Sequence, residues 1–164
     1  CIFADYQTNG RGTRGKKWIS QKGNLFGTFF FHLKNGYPPF NEFAFINLVI
    51  ILGVIEKFCE KKNITLKWPN DIFVNKKKIC GVLQELITQD EKIFLIIGIG
   101  INIVSNPEIR GEYKATNIFD ETKKKPKIDD IINTIISSYE KFFLNLETYN
   151  YSNFKKKAES FLIN

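Results

Sequence analysis

The chain has 164 residues and a formal net charge of +7, and 43% of its residues are hydrophobic, among them 16 phenylalanines. This length predicts one domain, and this apolar content excludes an intrinsically disordered chain. Three cysteines without a C-x-x-C pattern, and His32 as the sole histidine, argue against a disulfide framework and a Cys/His zinc site, so we expect reduced thiols in the cytoplasm.

Apolar runs and turn residues predict the elements in chain order. We expect strands at 1–7, 25–33, 64–68, 72–75, 79–86 and 93–103. We expect a long helix over 42–62 capped by Asn41, with Lys57, Lys61 and Lys62 at its C-terminal end, a second helix over 128–146, and a helical tail from about Asn153. Loops are expected at 8–24 and from Pro107 to about Pro126. This order predicts an α+β fold in which a mixed, largely antiparallel sheet packs against helices.

The remaining global features bear on the N-terminal end of the chain and on its binding partners. The chain contains no methionine, which predicts a piece of a longer protein that lacks an N-terminal segment. Its most apolar stretch, 93–103, is shorter than the ~20 residues that a membrane helix needs, so we expect no membrane partner. The positive charge forms a solvated surface or attracts phosphates or an acidic partner. The lysine runs do not look like a nucleic-acid-reading helix, so we expect no nucleic-acid partner.

The stretch Gly10–Gly15 reads GRGTRG, which has the spacing of the dinucleotide-binding motif G-x-G-x-x-G. That motif requires a helix directly after the glycines and an acidic residue about 20 positions later. Here Gly23 and Asn24 would interrupt such a helix, and the acidic residue is absent, so we exclude a Rossmann site. Interleaved arginines, Arg11 and Arg14, instead suit a loop that orders over a phosphate or carboxylate. A surface turn with basic residues is the alternative.

Three further stretches combine polar residues with sharp bends: KWPND at 67–71, KICGVLQE at 78–85, and GIGIN at 98–102. Each has a purely structural interpretation, as a corner, a hairpin arm or a close-packing point. No catalytic nucleophile stands out, since no G-x-S-x-G motif occurs.

Taken together, GRGTRGKKW, KWPNDIFVNKKKICGVLQE and GIGIN resemble the signatures of biotin–protein ligases, in the same order and over residues 1 to about 147. The segment YKATNI at 113–118 is similar to the adenylate-covering loop of that family. The resemblance implies one biotin/lipoate-ligase-type catalytic domain over 1–164, with a class II aminoacyl-tRNA-synthetase-like fold. It implies neither a helix-turn-helix domain nor a C-terminal SH3-like domain in this chain.

The activity implied by the resemblance is that of a biotin–[acetyl-CoA-carboxylase] ligase. Biotin and ATP, accompanied by Mg²⁺, form biotinyl-5′-AMP and pyrophosphate, and biotin then passes to a lysine of a biotin carboxyl carrier protein. Side chains supply no metal site by themselves, and the enzyme is expected to be a monomer or homodimer.

The resemblance also implies residue roles. Lys78 would contact the biotin carboxylate and the α-phosphate, and Asp71 would orient the incoming lysine amine. Arg11, the third expected catalytic residue, would fold over the intermediate. The expected biotin-binding residues are Gln7, Gly10, Arg11, Gly12, Thr13, Trp18, Lys78 and Gly81. The expected ATP- or adenylate-binding residues are Arg14, Gly15, Lys67, Asn70, Asn102 and Thr116.

Two positions depart from the family pattern. Thr13 stands where the family commonly has arginine, which predicts weaker retention of the adenylate, and Cys80 stands where glycine or alanine is usual. The family's Ser/Thr-Thr-Asn segment would precede residue 1. The alternatives are a lipoate–protein ligase or octanoyltransferase, a degenerate relative that binds biotin, and a basic binding module without activity.

Overall fold

A computed structural model of the chain describes residues 1–108 and 113–162. These residues form six strands: β1 (Ile2–Ala4), β2 (Leu25–Leu33), β3 (Ile64–Lys67), β4 (Asp71–Val74), β5 (Lys77–Gln89) and β6 (Lys92–Ile101). They also form four α-helices: α1 (Phe43–Ile55), α2 (Ile118–Thr122), α3 (Ile128–Leu144) and α4 (Tyr151–Glu159).

The six strands form one sheet in the order β1-β2-β6-β5-β4-β3. Every pairing between two of these strands is antiparallel, which confirms the predicted α+β class. Two tight turns set this connectivity, because Asn75 and Lys76 between β4 and β5, and Asp90 and Glu91 between β5 and β6, all have positive φ. Such paired left-handed residues match the twist of a two-residue hairpin.

The two faces of the sheet differ in what covers them. Along β6, Leu95, Ile97, Ile99 and Ile101 are buried against the helices, and the alternate residues, including Gly98 and Gly100, face the other way. Helix α1 is buried on nearly all sides because it lies between the sheet and helices α3 and α4. No helix among the described residues is long and apolar enough to cross a bilayer.

Helix α1 differs from its prediction at both ends. It begins after a 3₁₀ turn at Phe40–Glu42, and its N-cap is Glu42 rather than Asn41, with no side-chain capping hydrogen bond. It ends at Ile55, because Lys57 and Phe58 bond to the carbonyls three residues before them and tighten the last turn. The predicted C-terminal end at 62 was therefore wrong, and Lys61 and Lys62 lie in a separate 3₁₀ turn.

The loop predicted over 107–126 contains helix α2. Its N-cap is Asn117, whose side-chain oxygen accepts a hydrogen bond from the Asp120 amide at 2.8 Å. The signal was present in the sequence, since Asn followed three residues later by an acidic residue is typical of a helix start. Strand β5 also extends to Gln89, three residues beyond its prediction.

Candidate active site

A cavity of about 510 Å³ opens on the face of the sheet that the helices leave uncovered. Its walls come from the loop between β1 and β2, from the bend between β3 and β4, from Lys78 at the start of β5, and from Tyr113. The antiparallel order places these segments together, because β5 lies between β6 and β4. Motifs that are far apart in sequence thus meet at one site.

Two glycines form the floor of the cavity. Gly81 on β5 pairs with Gly100 on β6, and the Trp18 indole lies directly over both. A Cβ at Gly81 would lie 2.6 Å from Trp18 Cζ3, and one at Gly100 would lie 2.5 Å from Trp18 Cε2. Only glycine at these positions lets the ring approach the strands so closely. The buried indole nitrogen of Trp18 has no hydrogen-bond partner within the described structure.

Lys78 and Asp71 form the central ion pair of the site. The Lys78 Nζ lies 2.7 Å from Asp71 Oδ1, and each side chain is only 13% exposed. The Asn70 amide also donates to Asp71 Oδ1, at 3.1 Å. The rings of Trp18 and Tyr113 face the ammonium at 5.3 and 5.6 Å, a geometry that favours a cation. A charged lysine is therefore held at the cavity wall.

The cavity is strongly cationic. Asp71 is the only acidic residue among the described residues that line it. Six basic side chains line it: Arg11, Arg14, Lys16, Lys17, Lys67 and Lys78. A concave site lined by one sign of charge concentrates ligands of the opposite sign. The arrangement therefore suits a ligand that carries phosphates or a carboxylate.

The GRGTRG loop folds back on itself as a small hairpin. The Gly12 amide donates to Lys16 O at 2.7 Å, and the Trp18 amide donates to Gly10 O at 2.9 Å. Gly15 has a φ of +72°, so glycine serves the turn there. Arg11 makes a two-point ion pair with Glu85, at 2.5 and 3.0 Å, but the Arg11 side chain is 65% exposed. Water and dissolved ions screen a pair that is this exposed, which would allow Arg11 to exchange Glu85 for an anionic ligand.

Most of the predicted site residues line the cavity. They are Gln7, Arg11, Gly12, Thr13, Arg14, Trp18, Lys67, Asn70, Asp71, Lys78 and Gly81. Within the site, Gln7 Oε1 accepts a hydrogen bond from Ser20 at 3.1 Å, and the Asn70 amide lies 3.4 Å from the Thr13 hydroxyl. The structure brings these residues together, and their individual roles stay predictions.

Four predicted residues do not line the cavity. Gly10 and Gly15 shape the hairpin, whereas Asn102 and Thr116 are buried behind Lys78. The Asn102 amide donates to Thr116 O at 3.0 Å, and the Thr116 backbone amide donates to Lys78 O at 2.8 Å. The Asn102 side chain and the Thr116 backbone therefore hold the segment that carries Tyr113. Their expected contact with the nucleotide stays a prediction.

Sequence reasoning missed Tyr113 and Glu85. Tyr113 faces both Lys67 and Lys78, and Glu85 pairs with Arg11. Both lie within quoted motifs, so an aromatic or acidic residue beside a basic motif was the available signal. Burial raises the pKa of the Cys80 thiol, so Cys80 stays neutral and fills space next to the site. No group of three or more His, Cys, Asp and Glu residues in the described parts of the chain could hold a metal ion.

Comparisons with known proteins show the family to which the chain belongs. A profile of the biotin/lipoate A/B protein ligase family matches residues 1–102. The bifunctional ligase/repressor BirA of Bacillus subtilis is 30% identical over 99% of this chain, but the match covers 51% of BirA. The chain thus spans about half the length of the curated relatives that it matches over nearly its whole length.

Solved structures show the same relationship. A biotin protein ligase from Aquifex aeolicus in complex with biotin and ATP is 30% identical, with a TM-score of 0.80, covering 98% of this chain and 67% of that one. The biotin protein ligase of Leishmania major in complex with biotin is 27% identical, with a TM-score of 0.84, covering 99% and 70%. Since the family profile spans well over half of the residues, the chain belongs to the biotin/lipoate A/B protein ligase family.

Proposed function

We propose that this chain forms the catalytic site of an ATP-dependent biotin–protein ligase. The observation that carries the proposal is the largely buried Lys78–Asp71 pair beside a slot that is walled by the Trp18 ring, which lies against Gly81 and Gly100. The slot offers an apolar surface for a ring system, and Lys78 offers a cation at its end. Biotin has this combination of a bicyclic ring and a carboxylate.

In the first step, a biotin carboxylate oxygen attacks the α-phosphorus of ATP. The new oxygen–phosphorus bond gives biotinyl-5′-AMP as the bond to the β-phosphate breaks, and pyrophosphate leaves with its electron pair. Lys78 would stabilise the negative charge that develops on the α-phosphate, and Arg14 and Lys67 would hold the other phosphates. Arg11 would leave Glu85 and cover the intermediate, which keeps out water.

In the second step, the amine of a carrier lysine attacks the carbonyl carbon of the mixed anhydride. An amide forms as the bond between the carbonyl carbon and the phosphate oxygen breaks, AMP leaves with that electron pair, and the proton of the amine passes to water. Asp71 lies within 2.7 Å of Lys78 at the cavity wall and would orient the incoming amine there. Positioning of this kind supplies much of the rate enhancement when no covalent enzyme intermediate is needed.

Magnesium would accompany ATP in this proposal. Of the described residues lining the cavity, Asp71 alone is acidic, and it is already paired with Lys78. Mg²⁺ commonly binds substrate phosphates with one or two protein carboxylates, so the ATP phosphates would be its main ligands. The cation would neutralise phosphate charge when bound.

The acceptor would be a biotin carboxyl carrier protein, such as that of acetyl-CoA carboxylase, in the cytoplasm. The support is that a similar protein from Paracoccus denitrificans, 23% identical, is a biotin–[acetyl-CoA-carboxylase] ligase. A monomer or homodimer is compatible with this acceptor.

Thr13 is the one departure from the family pattern to which we assign a mechanistic consequence. Its hydroxyl replaces the charge of an arginine, and we expect some adenylate to escape before transfer.

The test separates the biotin activity from its nearest alternative, a lipoate ligase. The chain is incubated with ATP, Mg²⁺ and either biotin or lipoate, and exchange of labelled pyrophosphate into ATP is measured. We expect exchange with biotin only. Exchange with lipoate and none with biotin would overturn the proposal, and tight biotin binding by calorimetry without exchange would identify a degenerate relative.

A further inference from the structure

The carboxylate of Glu121 lies outside the cavity and receives three hydrogen bonds. Its Oε1 accepts from the Thr116 hydroxyl at 2.5 Å and from Lys77 Nζ at 2.9 Å, and its Oε2 accepts from the Asn75 amide at 2.6 Å. The side chain is 7% exposed. Burial alone opposes ionisation, but the hydrogen bonds outweigh it and hold the pKa of Glu121 below its ordinary value. Glu121 is therefore a buried, ionised carboxylate.

The three donors lie on both sides of Lys78. Asn75 lies in the β4–β5 turn and Lys77 is the residue before Lys78, whereas Thr116 belongs to the segment that runs beside it. The backbone amide of Lys78 donates to Lys114 O, and that of Thr116 donates to Lys78 O, both at 2.8 Å. Glu121 thus links the two segments that flank Lys78, on which the proposed reaction depends. We call its contacts with Asn75, Lys77 and Thr116 the bracket.

The bracket determines what faces the Lys78 ammonium. Tyr113, three residues before Thr116, places its ring 5.6 Å from Lys78 Nζ and 5.3 Å from Lys67 Nζ. Tyr113 can keep this place only while its segment lies against β5. Glu121 bonds to that segment and to the turn before β5, so losing it would leave only the backbone bonds and the Asn102 amide among these contacts to hold the segment, and would loosen it.

We propose that Glu121 is a positioning residue that fixes the Tyr113–Thr116 segment against β5 and so holds the Lys78 ammonium at its place in the cavity. The part of this proposal that concerns catalysis rests on the proposed function. Glu121 itself does not line the cavity and acts through Thr116, Lys77 and Asn75.

The first experiment measures adenylation in Glu121→Gln, which keeps the shape and removes the charge. We expect the kcat of biotin-dependent pyrophosphate exchange to fall about tenfold to a hundredfold, because small displacements of a catalytic group have effects of that size. Biotin affinity, measured by calorimetry without ATP, should change little. Glu60→Gln is the matched control, because Glu60 is 69% exposed and its carboxylate pairs with Lys62 at the surface, away from the cavity lining.

The second experiment does not depend on activity. Brief acetylation with acetic anhydride, followed by peptide mass spectrometry, measures the reactivity of Lys78 relative to the exposed Lys34. We expect Lys78 to be slow in the unaltered chain, severalfold faster in Glu121→Gln, and slow in Glu60→Gln. If Glu121→Gln does not fold, Lys77→Met, which removes one of the three bonds, takes its place. Lys77→Met must lower the kcat of exchange and speed the acetylation of Lys78. Lys77→Arg, which keeps the charge, must show smaller changes than Lys77→Met.

The two readouts distinguish the two proposals. One possible result is that the unaltered chain shows no pyrophosphate exchange while Glu121→Gln speeds the acetylation of Lys78. This result would overturn the proposed function and retain the positioning role. Exchange and Lys78 reactivity that both stay unchanged in a folded Glu121→Gln would overturn the positioning role. A parallel loss of biotin affinity and folding stability, with Lys78 still protected, would also overturn it.

Discussion

At the scale of single residues, the cavity floor depends on the absence of two side chains. A Cβ on Gly100 would lie 2.5 Å from two atoms of the Trp18 ring, whereas one on Gly98, on the same face of β6, would meet Leu83 Cβ at an ordinary 3.7 Å. We expect Gly100→Ala to displace Trp18 and to weaken biotin binding at least about tenfold, because a shift of the ring narrows the slot. Gly98→Ala should weaken binding much less.

Calorimetric titration with biotin and intrinsic tryptophan fluorescence check this prediction together, with the fluorescence measured in a Trp68→Phe background so that Trp18 is the sole tryptophan. The fluorescence spectrum should change in Gly100→Ala and stay close to normal in Gly98→Ala. Equal biotin affinities in the two variants would show that the floor does not form the biotin slot.

A second prediction at this scale concerns the cation of the site. We expect Lys78→Gln to reduce adenylation at least about a hundredfold, because one preorganised group that stabilises developing charge commonly contributes that much. Glutamine keeps a donor for Asp71, so the fold should persist. Pyrophosphate exchange measures the effect, with Lys92→Gln at the exposed start of β6 as control. Normal exchange in Lys78→Gln would remove Lys78 from its role.

At the scale of elements, a buried amide joins the two long helices to the sheet. Asn47 of α1, 1% exposed, donates to Gln84 of β5 at 2.9 Å and accepts from the Tyr139 hydroxyl of α3 at 2.9 Å. We expect Asn47→Ala to lower the free energy of unfolding by about 1–3 kcal/mol, since it leaves buried polar groups without partners.

Urea unfolding followed by circular dichroism measures that loss. Asn133→Ala, on the exposed face of α3, is the control and should be neutral or slightly stabilising, because alanine favours a helix more than asparagine. An unfolding free energy in Asn47→Ala equal to that of the control would show that the link contributes nothing.

The elements also differ in how well the sequence predicts them. β5 and β6 were found because β-branched and apolar residues fill them between clear turns. The end of α1 was missed because the apolar pattern continues to Phe58, while the backbone already turns after Ile55 to reach β3. Chain reversal of this kind depends on where the next strand must pair, which no local pattern reports.

At the scale of the whole molecule, the net charge of +7 and the cationic cavity should attract ATP more strongly than biotin, because ATP carries more negative charge. We expect the KM for ATP to rise severalfold between about 0.05 and 0.5 M salt, because added ions screen the attraction of exposed charges. The affinity for biotin, which carries one carboxylate, should fall less. Steady-state exchange kinetics at constant Mg²⁺ check this, and a KM for ATP independent of salt would contradict it.

Across the whole molecule, local chemistry in the sequence determined the class of the fold. Hairpin turns and runs of strand-forming residues were sufficient, because turn conformation and strand burial follow from neighbouring residues. The resemblance of three motifs to a known family predicted roles for Lys78, Asp71 and Arg11, and the structure places all three at one cavity.

Only the tertiary structure decided how these residues are arranged. The pairing of Gly81 with Gly100 under Trp18, the bracket of Glu121 around Lys78, and the burial of Asn102 and Thr116 behind the cavity all join residues at least 5 and as many as 82 positions apart. Such contacts depend on the register between β5 and β6 and on how the segment after β6 packs against β5. The physical reason is that a short motif specifies its own backbone, whereas the partner of a side chain is determined by the packing of the whole chain.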